Sequence, residues 1–220
     1  DRLKGKPGVV LGASSSLNEL DLDMLDGFYT LGINWTLSRF RPTFYQSLDP
    51  SPIDYYREQL ADEEEVALIV KDDMKVPFGP DKKCFRMKVR PFDGLRTVAL
   101  PKDHTREFTF PNNSALPAIQ WMFLMGCDPV IMIGIDFNIP KAKRSVELEG
   151  THFADVPAGA RMSGYNVSRQ RVIFSHFRTY LAGQLNRTLI NCSPHVNPEF
   201  DVIPRLPFKE TLEKLRKHRD

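Results

Sequence analysis

The sequence predicts an α/β protein: a mainly parallel sheet with helices on both faces. Three observations predict it. Short β-branched runs alternate with helix-like stretches from Pro7 onward. The run "PVIMIGI" is apolar almost throughout, as a central parallel strand buried on both faces must be. Runs end at Gly, Asn or Asp, as in "VVLG", "LGIN" and "QSLD". Alternating strands and helices imply crossover units and a parallel sheet. The expected fold is therefore Rossmann-like, a single nucleotide-binding α/β domain over residues 1–220. It carries an irregular insertion at about 72–111 and a long active-site loop at about 139–163.

Each element has its own signal. "PGVVLG" (Pro7–Gly12) is a buried strand closed by glycine. "SLNELDLDMLDG" follows as a helix, with Ser16 and Glu19 spaced as a capping box, although Asp21 and Asp23 can split it into two turns. "FYTLGIN" (Phe28–Asn34) is a second strand, "WTLSRF" a short helix, and "PTFYQSLDP" (Pro42–Pro50) a third strand. "DYYREQLADEE" reads as helix and "EVALIV" as a fourth strand. Residues 72–111 are rich in Pro, Lys and Asp, with short apolar pieces at "CFRMKV" and "TVALP"; they read as irregular, with a hairpin as one option. "NNSALPAIQWMFLMG" (Asn112–Gly126) is an apolar helix and "DPVIMIGIDFN" (Asp128–Asn138) the central strand. A loop of such length inside a compact domain is uncommon and often functional. "YNVSRQRVIFSHFRTYLAGQLN" is an amphipathic helix, "RTLINCSP" the last strand, and "PRLPFKETLEKLRKH" a C-terminal helix.

Composition limits the function. Hydrophobic residues make up 41% and charged residues 26%, enough apolar surface for a core. The net charge of +2 is too small, and the charges too mixed, to indicate nucleic acid. No run approaches the roughly 18 apolar residues of a transmembrane helix. No secretory signal pattern is present, so a cytoplasmic location is expected; the chain begins at Asp1, which leaves a trimmed leader open. Cys84, Cys127 and Cys192 are odd in number and widely spaced, which fits buried free thiols rather than zinc or disulfides.

In a parallel α/β sheet, ligands bind beyond the carboxyl ends of the strands. "GASSS" (Gly12–Ser16) lies at such an end, before a helix. Small residues there let a backbone approach phosphate, and helix N–H groups favour an anion; a plain tight turn is the competing reading. No GK[ST] or GxGxxG pattern is present. Asn34 and Asp49 end the next two strands. Asn34 can read a base or ribose, or cap the following turn. Asp49 can hold a sugar hydroxyl or magnesium, or cap "DPSP". Asp136 ends the central strand, where it can orient a substrate or base, or anchor the loop. His152 in the loop has the chemistry of a general base. Tyr165 can touch phosphate or simply pack. His176 reads as packing or surface, and His104 and His195 have no partner that the sequence names.

The opening block, from "KGKPGVVLGASSS" to "FYQSLDP", resembles the 6-hydroxymethylpterin diphosphokinase-like (MptE-like) family and the related bacterial sialyltransferases. "ALPAIQWMFLMGCDPVIMIGIDFN" resembles the helix and strand of those sialyltransferases, and "TLINCSP" before "PFKETL" fits the same group. The resemblance implies a nucleotide-phosphate turn at Gly12, Ser14 and Ser16, and a nucleotide contact at Asn34. It further implies a nucleotide approach at Ser114, a strand end at Asp136 and Phe137, and a general base at His152. Ala13 and Ser15 belong to the same turn. Ala13 replaces a nucleotide-binding Asn and Ser14–Ser15 replace Gly-Pro, which departs from the pattern for CMP.

The function expected is transfer of a sugar from a nucleotide-activated donor (a CMP- or NDP-sugar) to an acceptor hydroxyl. The alternatives are magnesium-dependent pyrophosphoryl transfer from ATP, through Asp49, and a non-catalytic nucleotide-binding module.

Overall fold

A computed structural model describes residues 3–92, 98–138, 145–147, 161–163 and 166–217. Its main sheet has eight strands: β1 (Gly8–Leu11), β2 (Tyr29–Ile33), β3 (Phe44–Ser47), β4 (Ala67–Lys71), β5 (Cys84–Pro91), β6 (Glu107–Phe110), β7 (Val130–Ile133) and β10 (Leu189–Asn191). Their spatial order is β10-β7-β1-β2-β3-β4-β5-β6, and every neighbouring pair is parallel. β8 (Ser145–Glu147) and β9 (Arg161–Ser163) form a separate antiparallel pair. The helices are α1 (Pro50–Tyr55), α2 (Arg57–Asp62), α3 (Ala115–Leu124), α4 (Val167–Tyr180) and α5 (Phe208–Lys217). The architecture is the Rossmann-like α/β fold that the alternating pattern predicts.

Side-chain alternation sorts the core onto two faces. Val10, Leu31, Ile69, Val130 and Met132 point to one face, under α3 and α4. Val9, Leu11, Ile131 and Ile133 point to the other, where Leu17, Leu25 and α5's Phe208 and Leu212 cover them. Further along that second face, Tyr45, Leu68 and Val70 lie under Trp35, Ile53 and Leu60. A fully buried Leu, Ile or Phe contributes about 1.5–3 kcal/mol, so the sheet's interior strands are apolar at nearly every position. α3 is buried from Ala115 to Phe123, which is why it is apolar all round rather than amphipathic. α4 is capped by Asn166, whose Oδ1 accepts from the Arg169 N–H at 3.2 Å.

Two expectations are corrected. The stretch after β1 is not one helix but two short 3-10 turns, Ser15–Glu19 and Leu22–Leu25. Asp21 accepts from the Asp23 N–H at 3.3 Å and starts the second turn, so its short polar side chain competes with a continuous helix. Within residues 72–111 the hairpin option is not seen among the described residues: Cys84–Pro91 and Glu107–Phe110 extend the main sheet as parallel strands. On β5, Met87 is buried beside exposed Arg86 and Lys88, the alternation of a half-covered strand rather than the unbroken apolar run of the centre.

All three cysteines are free thiols. Burial pushes Cys127 up to about 12 and Cys192 up to about 11, so both stay protonated and inert. No helix among the described residues is long and apolar enough to cross a membrane.

Candidate functional site

Strand order reverses between β1 and β7: from β1 the chain steps outward to β2, and β7 returns on β1's other side. Such a reversal opens a crevice at the carboxyl ends of the two strands. The Gly12–Ser16 turn leaves β1 there, and Gly134–Asn138 leaves β7 beside it.

The two turns are joined directly. Gly12 N–H donates to the Ile133 carbonyl at 2.8 Å, and Ser14 N–H to the Gly134 carbonyl at 3.0 Å. A Cβ on Gly12 would lie 2.1 Å from the Gly134 carbonyl oxygen. The glycine therefore makes room for the neighbouring turn, and Gly134 answers with a φ of +60°. Ser16 is buried and donates from Oγ to Asp136 Oδ1 at 2.6 Å. Asp136 N–H reaches Ser14 Oγ at 3.4 Å. Ser15 is exposed on the crest of the turn, and Ala13 is buried in the core.

Asp136 is 4% exposed. Burial pushes its carboxyl above the usual carboxylate range; the Ser16 hydroxyl bond and the nearby His195 pull it back down, and Glu19 pushes it up. The next residue fixes this geometry. Phe137 has a φ of +56°, a conformation costly for a bulky side chain. Its ring stacks on Phe200 at 3.7 Å and meets Phe174 edge-on at 5.3 Å. That packing holds the kink, and Asn197 secures it by donating from N–H to the Asp136 carbonyl at 2.7 Å and from Nδ2 to the Phe137 carbonyl at 3.2 Å. Phe137 is thus a core anchor for Asp136.

Further along the rim, Asn34 leaves β2 at a φ of +52°. Its carbonyl accepts from the Tyr45 hydroxyl at 2.5 Å, and its Oδ1 accepts from Ser47 Oγ at 3.2 Å. Burial, aided by Tyr56, pushes the Tyr45 phenol up, so it remains a donor. Asp49 is exposed and caps α1, its Oδ1 accepting from the Ser51 N–H at 3.0 Å. Among the described residues, no group of three or more His, Cys, Asp or Glu is gathered to hold a metal ion. Ser114 precedes α3 at the same rim, and its carbonyl accepts from Gln46 Nε2 at 2.9 Å. The Ala115 N–H is taken by Asn113 Oδ1 and Pro117 has no N–H, which makes this helix start a poor anion cradle.

The structure therefore gathers Gly12–Ser16, Asn34, Asp49, Ser114 and Asp136 along one rim, with Ser14, Ser16 and Asp136 in contact. His152 and Tyr165 lie outside the described residues. Sequence reasoning missed Gln46, Ser193 and Asn197, gave Glu19 only a capping role with Ser16 that the structure does not show, and found no partner for His195. The signal for Ser193 and His195 was their place just beyond the last strand, at the carboxyl end where the other candidates were sought.

This fold and rim define the class of open parallel α/β proteins with a crevice at the strand-order reversal. Compared with known proteins, the chain matches no family model, no curated protein and no solved structure.

Proposed function

We propose that this chain transfers a sugar from a nucleotide-activated donor to an acceptor hydroxyl, with the donor lying across the crevice between β1 and β7. The observation that carries the reading is the buried Asp136, held at the mouth of that crevice by Ser16 and by the kink at Phe137. Backbone strain of this kind persists only where the surroundings over-determine it, and it concentrates at functional sites. Asn34, at a φ of +52°, leaves the neighbouring strand β2 at the same end of the sheet. The resemblance of the "GASSS" and "GIDFN" blocks to sialyltransferase motifs supports the same assignment of roles.

In this reading the Gly12–Ser16 turn and Asn34 grip the nucleotide, and exposed Ser15 offers its hydroxyl to the phosphate. Asp136 orients the donor sugar at the reacting carbon. The acceptor hydroxyl gives its proton to a base, the role that the resemblance assigns to His152, as its oxygen attacks the anomeric carbon; the bond from that carbon to the phosphate oxygen breaks, and the electron pair leaves with the nucleotide. Donors aimed at the phosphate stabilise that charge.

The test is nucleotide release from CMP- and NDP-sugars, with and without a simple sugar acceptor. Acceptor-dependent release of one nucleotide is expected. Asp136→Asn should lower it by about 100-fold, the scale of a misplaced reacting group. Wild-type release in Asp136→Asn would remove Asp136 from the site.

A further inference from the structure

The rim carries a second titratable pair. His195 Nε2 lies 2.6 Å from Glu19 Oε1, although the two are 176 positions apart in sequence. Glu19 closes the 3-10 turn that Ser15 opens, so it rides on the same turn as Ser16. His195 follows β10, in a segment laced to the Asp136 loop by four hydrogen bonds. Ile135 N–H donates to Ser193 Oγ at 3.0 Å, and Asn138 Nδ2 to the His195 carbonyl at 2.5 Å. Asn197 supplies the other two, to the carbonyls of Asp136 and Phe137. The pair therefore joins the turn after β1 to the segment after β10, on either side of β7, within electrostatic reach of Asp136. Its side chains are 60% and 55% exposed, open to an incoming substrate.

We infer that His195, oriented by Glu19, is the base that takes the proton from the acceptor hydroxyl, an assignment that rests on the glycosyl-transfer reading above. A carboxylate only accepts hydrogen bonds, so Nε2 carries the ring hydrogen and Nδ1 is the basic nitrogen. As the acceptor oxygen bonds to the anomeric carbon, its proton passes to Nδ1. The bond to the phosphate breaks and its electron pair leaves with the nucleotide. Glu19 balances the imidazolium that forms. Glu19 is thus a positioning residue and His195 the catalytic one. Among the described residues, the charged groups near the imidazole are Glu19, Asp136 and Arg205; Arg205 Nη2 reaches the Pro194 carbonyl at 3.4 Å.

An exposed ion pair adds little to stability, so variants here should fold, and unchanged melting temperatures check that. With a turned-over donor and acceptor, His195→Gln should lower turnover by about 100-fold or more. It should leave the nucleotide-induced thermal shift intact and remove the acidic limb of the pH–rate profile. Glu19→Gln should lower turnover less than His195→Gln does. Wild-type turnover and profile in His195→Gln, with the loss falling on His152→Ala instead, would overturn the assignment and leave glycosyl transfer standing. Absence of turnover by the unaltered protein on every donor would overturn both. The pair itself is read without turnover, by nitrogen NMR of the imidazole: His195 should be protonated at Nε2, and Glu19→Gln should mix the tautomers. A tautomer mixture already present in the unaltered protein would also overturn it.

Discussion

Gly12→Ala separates two roles for one glycine. A Cβ at position 12 would lie 2.1 Å from the Gly134 carbonyl oxygen and 2.7 Å from Ile135 Cγ1. The first neighbour is backbone at the end of a central strand, which no rotamer change can move. One turn must retreat by roughly 1.5 Å to restore an ordinary contact. That retreat pulls on the Ser14–Gly134 bond at 3.0 Å and on Ser16–Asp136 at 2.6 Å. A neutral hydrogen bond is worth about 0.5–1.5 kcal/mol and one to a charged group about 1.5–3 kcal/mol, and overpacking adds about 1–3 kcal/mol. The expected loss is ~3 kcal/mol, or roughly 6–12 °C in melting temperature for a chain of this length. Urea and thermal unfolding of the variant measure it. If Gly12 served only ligand approach, stability would be unchanged and nucleotide binding alone would fall. That result would refute the packing argument.

Further predictions follow from the same rim. Because burial raises its pKa, Asp136 holds its proton to higher pH in the folded chain than in the unfolded one. Its contribution to stability is full below the unfolded value and is lost as pH rises through the folded one. Urea midpoints should therefore show Asp136→Asn gaining on the unaltered protein from about pH 4 towards pH 8; a constant difference would contradict the raised pKa. Asn34→Gly and Asn34→Ala both lose the Ser47 bond, and Asn34→Ala should be about 1 kcal/mol less stable than Asn34→Gly in urea unfolding, because glycine tolerates a φ of +52° without strain. Tyr45→Phe removes the hydroxyl that holds the Asn34 carbonyl and should cost about 1 kcal/mol by the same measurement.

Much of the scaffold could be read from local pattern. Val9, Val10 and Leu11, and likewise Ile131, Met132 and Ile133, are apolar on both faces because both faces are covered, and such runs identify central strands directly. β5 and β6 were not read as strands of the main sheet: β5 runs for eight residues from the "CFRMKV" piece but alternates with charged residues and is covered unevenly, and β6 has only four residues. After β1 the leucine spacing suits a helix, and of the two readings the sequence left open, the split at Asp21 is the one the structure takes. At the site, "GASSS", Asn34 and Asp136 could be found because they end strands. Their connections could not: Ser16 meets Asp136 across 120 positions, and Glu19 meets His195 across 176. No spacing rule reports such pairs. They arise from the order in which parallel strands are laid side by side.

The most direct test of a nucleotide-sugar site at this rim is thermal unfolding in the presence of CMP, CDP, UMP, UDP, GDP, ADP and ATP, each with and without magnesium. A ligand at 100 times its dissociation constant stabilises by about 2.7 kcal/mol, roughly 5–11 °C for a chain of this length. The account predicts such a shift with CMP or with one nucleoside diphosphate, without a requirement for magnesium. A shift with ATP and magnesium alone would point to pyrophosphoryl transfer, and no shift with any nucleotide would leave "GASSS" as a turn that holds only its neighbour.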